Sequence, residues 1–265
     1  MTYPVFLTPE VTVDGVRTAL LEGATPAAYL TVEGEEARHA RTVQRLRVGE
    51  ELDLIDGRGA RVRAVVVSGR DDPFTVEVNE VTREGAPTPR LCLVQALAKG
   101  GRDEQALETA TELGVDQIIP WQADRSIVRW DRRKAQTGVE RWQRLAVAAA
   151  KQSRRAWVPH VTPVETSAGL ARTLETIVSD GGVVLVCHES SSSHFAQISA
   201  AEKNRWEVAP LIAVVVGPEG GITDDELAMF VDRGAVPVLL GRHVMRSSTA
   251  GPAALAALNV TLGRW

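Results

Sequence analysis

Residues 211–221 read LIAVVVGPEGG. Six apolar residues run without a break and stop at a glycine-rich loop. That pattern fits a strand buried on both faces whose carboxyl end opens into a turn where a ligand can approach the backbone. Similar runs occur at LCLVQAL (91–97), GVVLVCH (182–188) and AVPVLLG (235–241). Strand-like VDQIIP (115–120) stands among stretches of helical spacing, DEQALETATELG (103–114), the Ala/Arg-rich 138–155 and the Ala/Leu-rich 250–262. Doubly buried strands alternating with helices predict an α/β domain over 91–265, built on a parallel sheet.

Outward from this region the rhythm changes. EGAPTPR (84–90), with two prolines and a glycine, reads as a linker. Before it, alternating runs at 50–55, 60–67 and 74–81 predict strands. Asp56-Gly57 with Gly59, and Ser68-Gly69 with Asp71-Asp72-Pro73, supply turns between them. EEARHARTVQRLR (35–47) fits one helix ended by Gly49. Residues 1–84 are therefore predicted to be a small β-barrel with one helix.

Composition bounds the function classes. The 265 residues are 44% apolar and 24% charged, with 22 glycines, 13 prolines and two cysteines, which excludes collagen-like, disordered and disulfide-stapled chains. No apolar run approaches the ~20 residues of a membrane span, and MTYPVFLTPEV lacks the pattern of a secretory signal. Cys92 and Cys187, far apart in apolar text, read as buried free thiols of a reducing, cytoplasmic compartment. Five scattered histidines show no ligand spacing, so no metal site is expected. The net charge of −4 argues against a generally basic coat, yet residues 125–155 hold ten basic side chains against Asp131 and Glu140. Arg38, Arg41, Arg45 and Arg47 form a second cluster. Such patches suit either a selective polyanion binder or a solvated helix face.

Two loops should carry chemistry, because open α/β sheets bind ligands at the carboxyl ends of their strands. One is Val216-Gly217-Pro218-Glu219-Gly220-Gly221, followed by Thr223 and Glu226 at capping-box spacing. The other is Leu240-Gly241-Arg242-His243-Val244-Met245-Arg246-Ser247-Ser248-Thr249-Ala250. Neither has the spacing of a dinucleotide fingerprint or a P-loop, and no G-x-S-x-G elbow supports a hydrolase.

GPEGG after a buried strand, then LG-x-x-V-M-R-x-x-TA before a C-terminal helix, resembles the SPOUT class of methyltransferases. Lys99-Gly100, Glu112-Leu113-Gly114-Val115, Arg125-Ser126 with Arg129-Trp130, and Gln152-Ser153-Arg154-Arg155 before Val158-Pro159 follow in order. With them the resemblance narrows to the 16S rRNA uridine-N3 methyltransferase family, ribosomal small subunit methyltransferase E. His39, Arg45-Leu46-Arg47-Val48-Gly49 and Asp56-Gly57-Arg58-Gly59 resemble that family's PUA-like RNA-binding domain. The resemblance implies a C-terminal trefoil knot at about 183–265, a homodimer through the knot helices, and S-adenosylmethionine as cofactor. It implies a uridine of 16S rRNA in the small subunit as the methyl acceptor at N3. The implied cofactor residues are His188, Val216, Gly217, Pro218, Glu219, Gly220, Leu240, Gly241, Val244, Met245, Arg246, Ser248, Thr249 and Ala250. Arg41, Arg45, Arg47, Lys99, Arg125, Arg129, Lys151, Arg154 and Arg155 are the expected phosphate contacts.

N3 of neutral uracil must lose a proton before it attacks a sulfonium methyl, so a positive charge from Arg246 or Arg154 is expected to stabilise the uracil anion. A carboxylate, histidine or ordered water is the expected proton acceptor, with no one group singled out. The chain departs from the family pattern at Arg242, where proline is usual, at Ser248, where an acid is usual, at Arg38, where a histidine is usual, and in lacking an N-terminal arginine in MTYPVF. A related enzyme acting on another RNA position, or a non-catalytic RNA-binding assembly factor, are the alternative readings.

Overall fold

The computed structural model describes residues 3–69 and 72–265. Asp71, expected in a turn, and the start of the N-terminal segment, Met1-Thr2, lie outside the described residues. The chain forms two compact units, Met1–Ala86 with Ala150–Val158, and Pro87–Ala149 with Pro159–Trp265. Residues 150–158, which pattern alone places in the second domain, therefore belong to the first. Nothing in their own sequence marks the change, because it falls within the last turn of the helix Arg132–Gln152.

The first unit contains β1 (Val5–Leu7), β2 (Glu10–Val13), β3 (Val16–Ala19), α1 (Leu20–Gly23), β4 (Tyr29–Thr31) and α2 (Gly34–Arg38). A π-helical turn (His39–Val43) and β5 (Glu51–Ile55), β6 (Ala60–Val66) and β7 (Thr75–Arg83) complete it. The strands form one mixed sheet in the order β1-β5-β6-β7-β4-β2-β3, with β1 parallel to β5 and every other pair antiparallel. No pairing joins β1 to β3 among the described residues, so the expected barrel is a curled sheet with two edges. Alternate residues of β6 are buried, as its sequence demands, and Val62, Ala64 and Val66 meet Phe6, Leu30, Leu52 and Val76 in the core. The expected helix over 35–47 stops at Val43; Arg45 adopts φ +55°, which ends helical geometry before Gly49 is reached.

The second unit holds β8 (Arg90–Ala96), α3 (Arg102–Glu112), β9 (Gln117–Gln122) and most of α4 (Arg132–Gln152). It continues with β10 (His160–Val161), β11 (Glu165–Thr166), α5 (Ser167–Ser179), β12 (Val183–Cys187) and α6 (Phe195–Val208). Then come β13 (Leu211–Val216), α7 (Asp224–Val231), β14 (Val236–Val238) and α8 (Ser247–Thr261). Its sheet is parallel throughout, in the order β10-β9-β8-β13-β12-β14, with β11 also beside β9. Strand residues alternate between two apolar layers. Leu91, Leu93, Ile212, Val214 and Leu185 face α3, α4, α6 and α8, while Cys92, Val94, Ala213, Val215 and Val186 face α5 and α7. Three elements shift from expectation: α4 spans 132–152 rather than 138–155, α8 starts at 247 rather than 250, and β9 runs 117–122 rather than 115–120. Asp131 Oδ1 accepts from the N–H groups of Arg133 and Lys134 and so starts α4 earlier than its apolar spacing suggests.

Gly251 lets α8 lie directly on the sheet, since a methyl there would sit 2.7 Å from Leu93 Cδ1. The Ala/Leu-rich text of α8 thus serves its own unit's core, with Ala254, Leu255 and Leu258 buried.

Candidate active site

Parallel strands place their carboxyl ends on one side, and the loops after β12, β13 and β14 enclose a cavity of about 610 Å³ there. The size falls within the range of small-molecule sites. Of the residues expected at the cofactor, His188, Val216, Gly217, Pro218, Glu219, Gly220, Leu240, Gly241, Val244, Met245, Arg246 and Ala250 line it. Ser248 and Thr249 do not; they sit in the first turn of α8, past the cavity wall. Arg102, Arg125, Arg242, Asp224, Cys187 and Ile222 line it as well. Sequence reasoning assigned none of these six to the cofactor site.

The glycine loop after β13 is held from three sides. Gly217 has no room for a side chain, since a methyl would meet Ile222 Cγ1 at 2.7 Å. Glu219 Oε1 accepts from the Lys99 N–H at 3.2 Å and from Arg102 Nη1 at 3.0 Å, which ties the loop to the turn after β8. Gly220 packs against Arg125, whose Nη1 donates to the Gly220 carbonyl at 3.2 Å. The two arginines therefore differ electrically. Arg102 is paired with a carboxylate, whereas Arg125 is held by a neutral carbonyl and makes no ion pair among the described residues.

Beneath Arg125 lies a buried carboxylate. Thr223 and Glu226 form the expected capping box at the start of α7, but Glu226 is also fully buried. Its Oε1 accepts from the Asp124 N–H at 2.8 Å and Ser167 Oγ at 2.6 Å; Oε2 accepts from the Thr223 N–H and hydroxyl, both at 3.0 Å. Trp121 Nε1 in turn donates to Ser167 Oγ at 3.2 Å. Ser126 Oγ donates to the Leu97 carbonyl. The segment 123–126 that carries Arg125 is thus pinned at both ends.

The other wall is softer. Backbone N–H groups of residues 240–245 donate to no partner among the described residues, so they remain open to a ligand. His188 Nδ1 accepts from the Ser190 N–H at 3.3 Å, which orients the ring in the cavity wall. Arg242, His243, Val244 and Arg246 are exposed. Cys187, expected to be buried like Cys92, is only half-buried because it ends β12 at the cavity wall; desolvation still pushes its thiol up from 9.0 to about 12.

The expected phosphate-binding residues divide. In the first unit, Arg41 donates to the carbonyls of Gly69 and Asp72 and lies over the Phe74 ring, while Arg45 and Arg47 are exposed. Lys151 is engaged: Nζ donates to both Glu36 oxygens at 2.7 and 2.8 Å, and the pair is mostly buried. Arg154, at φ +59°, is exposed, and Arg155 is partly buried. In the second unit Arg129 donates to the Asp124 carbonyl at 2.6 Å, and Lys99 is exposed. Arg154, expected beside Arg246 at the reacting base, belongs to the first unit and does not line the cavity of the second.

Among the described residues no group of three or more His, Cys, Asp and Glu side chains is placed to hold a metal, and no helix is long and apolar enough to cross a membrane. Comparisons with known proteins are extensive. The RNA methyltransferase domain family matches residues 85–259, and the RNA methyltransferase PUA domain family matches residues 32–79. A protein of Mycobacterium bovis named ribosomal RNA small subunit methyltransferase E is 41% identical over 90% of this chain and 88% of its own. A Bacillus subtilis protein of the same name is 31% identical over 88% and 90%. Among solved structures, ribosomal RNA small subunit methyltransferase E of Neisseria gonorrhoeae, bound to S-adenosyl methionine, superposes with a TM-score of 0.80 at 25% identity, covering 98% of each chain.

Proposed function

The chain belongs to the ribosomal RNA small subunit methyltransferase E family, and from that premise we propose that it methylates N3 of a uridine in 16S rRNA, with S-adenosylmethionine as methyl donor. The observation that carries this reading is the convergence of both glycine loops on one cavity at the carboxyl ends of parallel strands. The cavity fits the donor chemically. Val216, Leu240, Ile222 and Met245 offer apolar faces for an adenine ring, and the open N–H groups of residues 240–245 offer donors to its edge and to a ribose. When bound, the donor supplies an electrophilic methyl on a positively charged sulfur. The chain's part is to position a flipped-out base against that methyl and support the negative charge on the base.

The first unit, with exposed Arg45 and Arg47, and exposed Arg129 and Lys99 of the second, are the proposed phosphate contacts. They would hold the rRNA without specifying it. The homodimer, the trefoil knot and the cytoplasmic location belong to the same proposal. Light scattering on the purified chain should give twice the chain mass, and a monomer would remove the dimer from the reading.

The deciding experiment incubates the protein with labelled S-adenosylmethionine and small ribosomal subunits lacking native modification, then identifies the labelled nucleoside. Label in 3-methyluridine is expected. Label in a ribose-methylated nucleoside would move the target, and absence of both label and donor binding would leave an RNA-binding assembly factor.

A further inference from the structure

Four arginines reach the cavity, and they are not equivalent. Arg102 is paired with Glu219 at 3.0 Å, so its charge is already compensated. Arg242 and Arg246 stand exposed on the loop before α8, and neither side chain has a partner among the described residues. Bringing such a side chain to a reacting atom costs conformational entropy at the moment of reaction. Of the four, Arg125 is the one that is tethered yet makes no ion pair among the described residues. Its Nη1 is tethered to the Gly220 carbonyl at 3.2 Å, a methyl on Gly220 would lie 3.0 Å from its Cβ, and Glu226 holds the preceding residue's N–H at 2.8 Å. Only one of its five N–H donors is used in that contact, so the rest stay available to a ligand.

We propose that Arg125 is the catalytic cation of this site. Its guanidinium contacts a carbonyl oxygen of the target uracil and stabilises the anion formed when N3 loses its proton. Glu226 is the positioning residue that holds it there. The inference rests on the N3-uridine reading and deepens it. N3 gives its proton to solvent water and forms the new N–C bond; the C–S bond breaks with its electron pair left on sulfur. Negative charge on the uracil oxygens is largest in the N3 anion and declines as the N–C bond forms, so a fixed donor that needs no reorganisation lowers the barrier measured from neutral uridine by making that anion accessible.

The test compares wild type, Arg125→Gln and Arg125→Lys. Arg125 is exposed and its substitution leaves the apolar layers intact. The expected result is a fall in kcat of about 10²- to 10³-fold for Arg125→Gln, the size seen when one preorganised donor to an oxyanion is removed. Calorimetric S-adenosylmethionine affinity and donor-free binding to small subunits should stay within about threefold of wild type. Subunits carrying 5-fluorouridine, whose N3 is more acidic, should recover much of the lost rate in Arg125→Gln while gaining little in wild type. Arg125→Lys, which keeps charge but not the fork, should fall between. Three results would each overturn the assignment. A raised KM for subunits with unchanged kcat and a flatter salt dependence of binding would make Arg125 a phosphate contact. Weakened donor binding alone would make it a wall of the donor site. An equal loss on normal and fluorinated subunits would remove the electrostatic role. If wild type makes no 3-methyluridine, the function reading itself fails, whatever the variants do.

Discussion

Replacing Glu226 by glutamine tests whether the buried carboxylate organises the site. Each oxygen accepts two donors, Ser167 Oγ and the Asp124 N–H on one side, the Thr223 N–H and hydroxyl on the other. A carboxylate accepts everywhere, whereas an amide accepts on one side and donates on the other. Hydroxyls can rotate away from the new NH₂, but a backbone N–H cannot. One orientation of the substituted amide thus sets its NH₂ against the Thr223 N–H, and the other sets it against the Asp124 N–H. A buried unpaired donor costs about 1–3 kcal/mol, and loss of charge from the remaining bonds adds about 1 kcal/mol, so Glu226→Gln should cost about 2–4 kcal/mol. Glu226→Ala also leaves a void and should cost more. At roughly 2–4 °C per kcal/mol for a unit of this size, the glutamine variant should unfold about 5–15 °C earlier. Five of the six tryptophans lie in the second unit, so fluorescence in a Trp157→Phe background follows that unit alone. A glutamine variant within about 0.5 kcal/mol of its parent would refute the argument, because the acceptors would then be dispensable.

Burial also raises the Cys92 thiol from 9.0 to about 12. Because the folded value lies above the unfolded one, this contribution is intact below pH 9 and is lost as pH rises toward 12. Wild type should therefore lose about 1.4 kcal/mol per pH unit relative to Cys92→Ala across that window, read as a shrinking lead of the wild-type urea midpoint over that of the variant. Lys151→Gln breaks a mostly buried pair with Glu36 and should cost about 1–3 kcal/mol, while the log–log salt slope of subunit binding stays at the wild-type value. A slope reduced by about one would instead make Lys151 a phosphate contact. Gly59 sits at φ +99° with the Glu84 carbonyl 2.5 Å from where a methyl would be. Gly59→Ala should destabilise the first unit by about 2–4 kcal/mol in thermal unfolding read from Trp157, which packs against this turn.

Elements with a strong period were legible. The runs at 91–97, 182–188 and 211–217 became β8, β12 and β13, because doubly buried strands need unbroken apolar text; the run at 235–241 gave only the three-residue edge strand β14, of which Val238 alone is buried. The short strands β1 to β4 and the two-residue β10 and β11 carry no such signal. Their partners, not their own side chains, make them strands. Helix α5 was missed although its Thr166 cap is plain, the hydroxyl accepting from the Gly169 N–H. A capping search would have found it.

The sequence by itself determined the class of fold, the two glycine loops, the capping box at Thr223 and the two free thiols. Those features are local in sequence, since periodicity, turn chemistry and caps act within a few residues. Which cations are free was decided only by tertiary structure. Lys151 and Glu36 are 115 positions apart, Arg125 and Gly220 are 95 apart, and Arg102 and Glu219 are 117 apart. A charge is neutralised or left open according to what the fold brings within about 3 Å of it, because Coulomb and hydrogen-bond energies depend on separation in space. Arg125, read from the sequence as one of ten basic residues in a patch and an expected phosphate contact, is held at the cavity by the Gly220 carbonyl and makes no ion pair among the described residues.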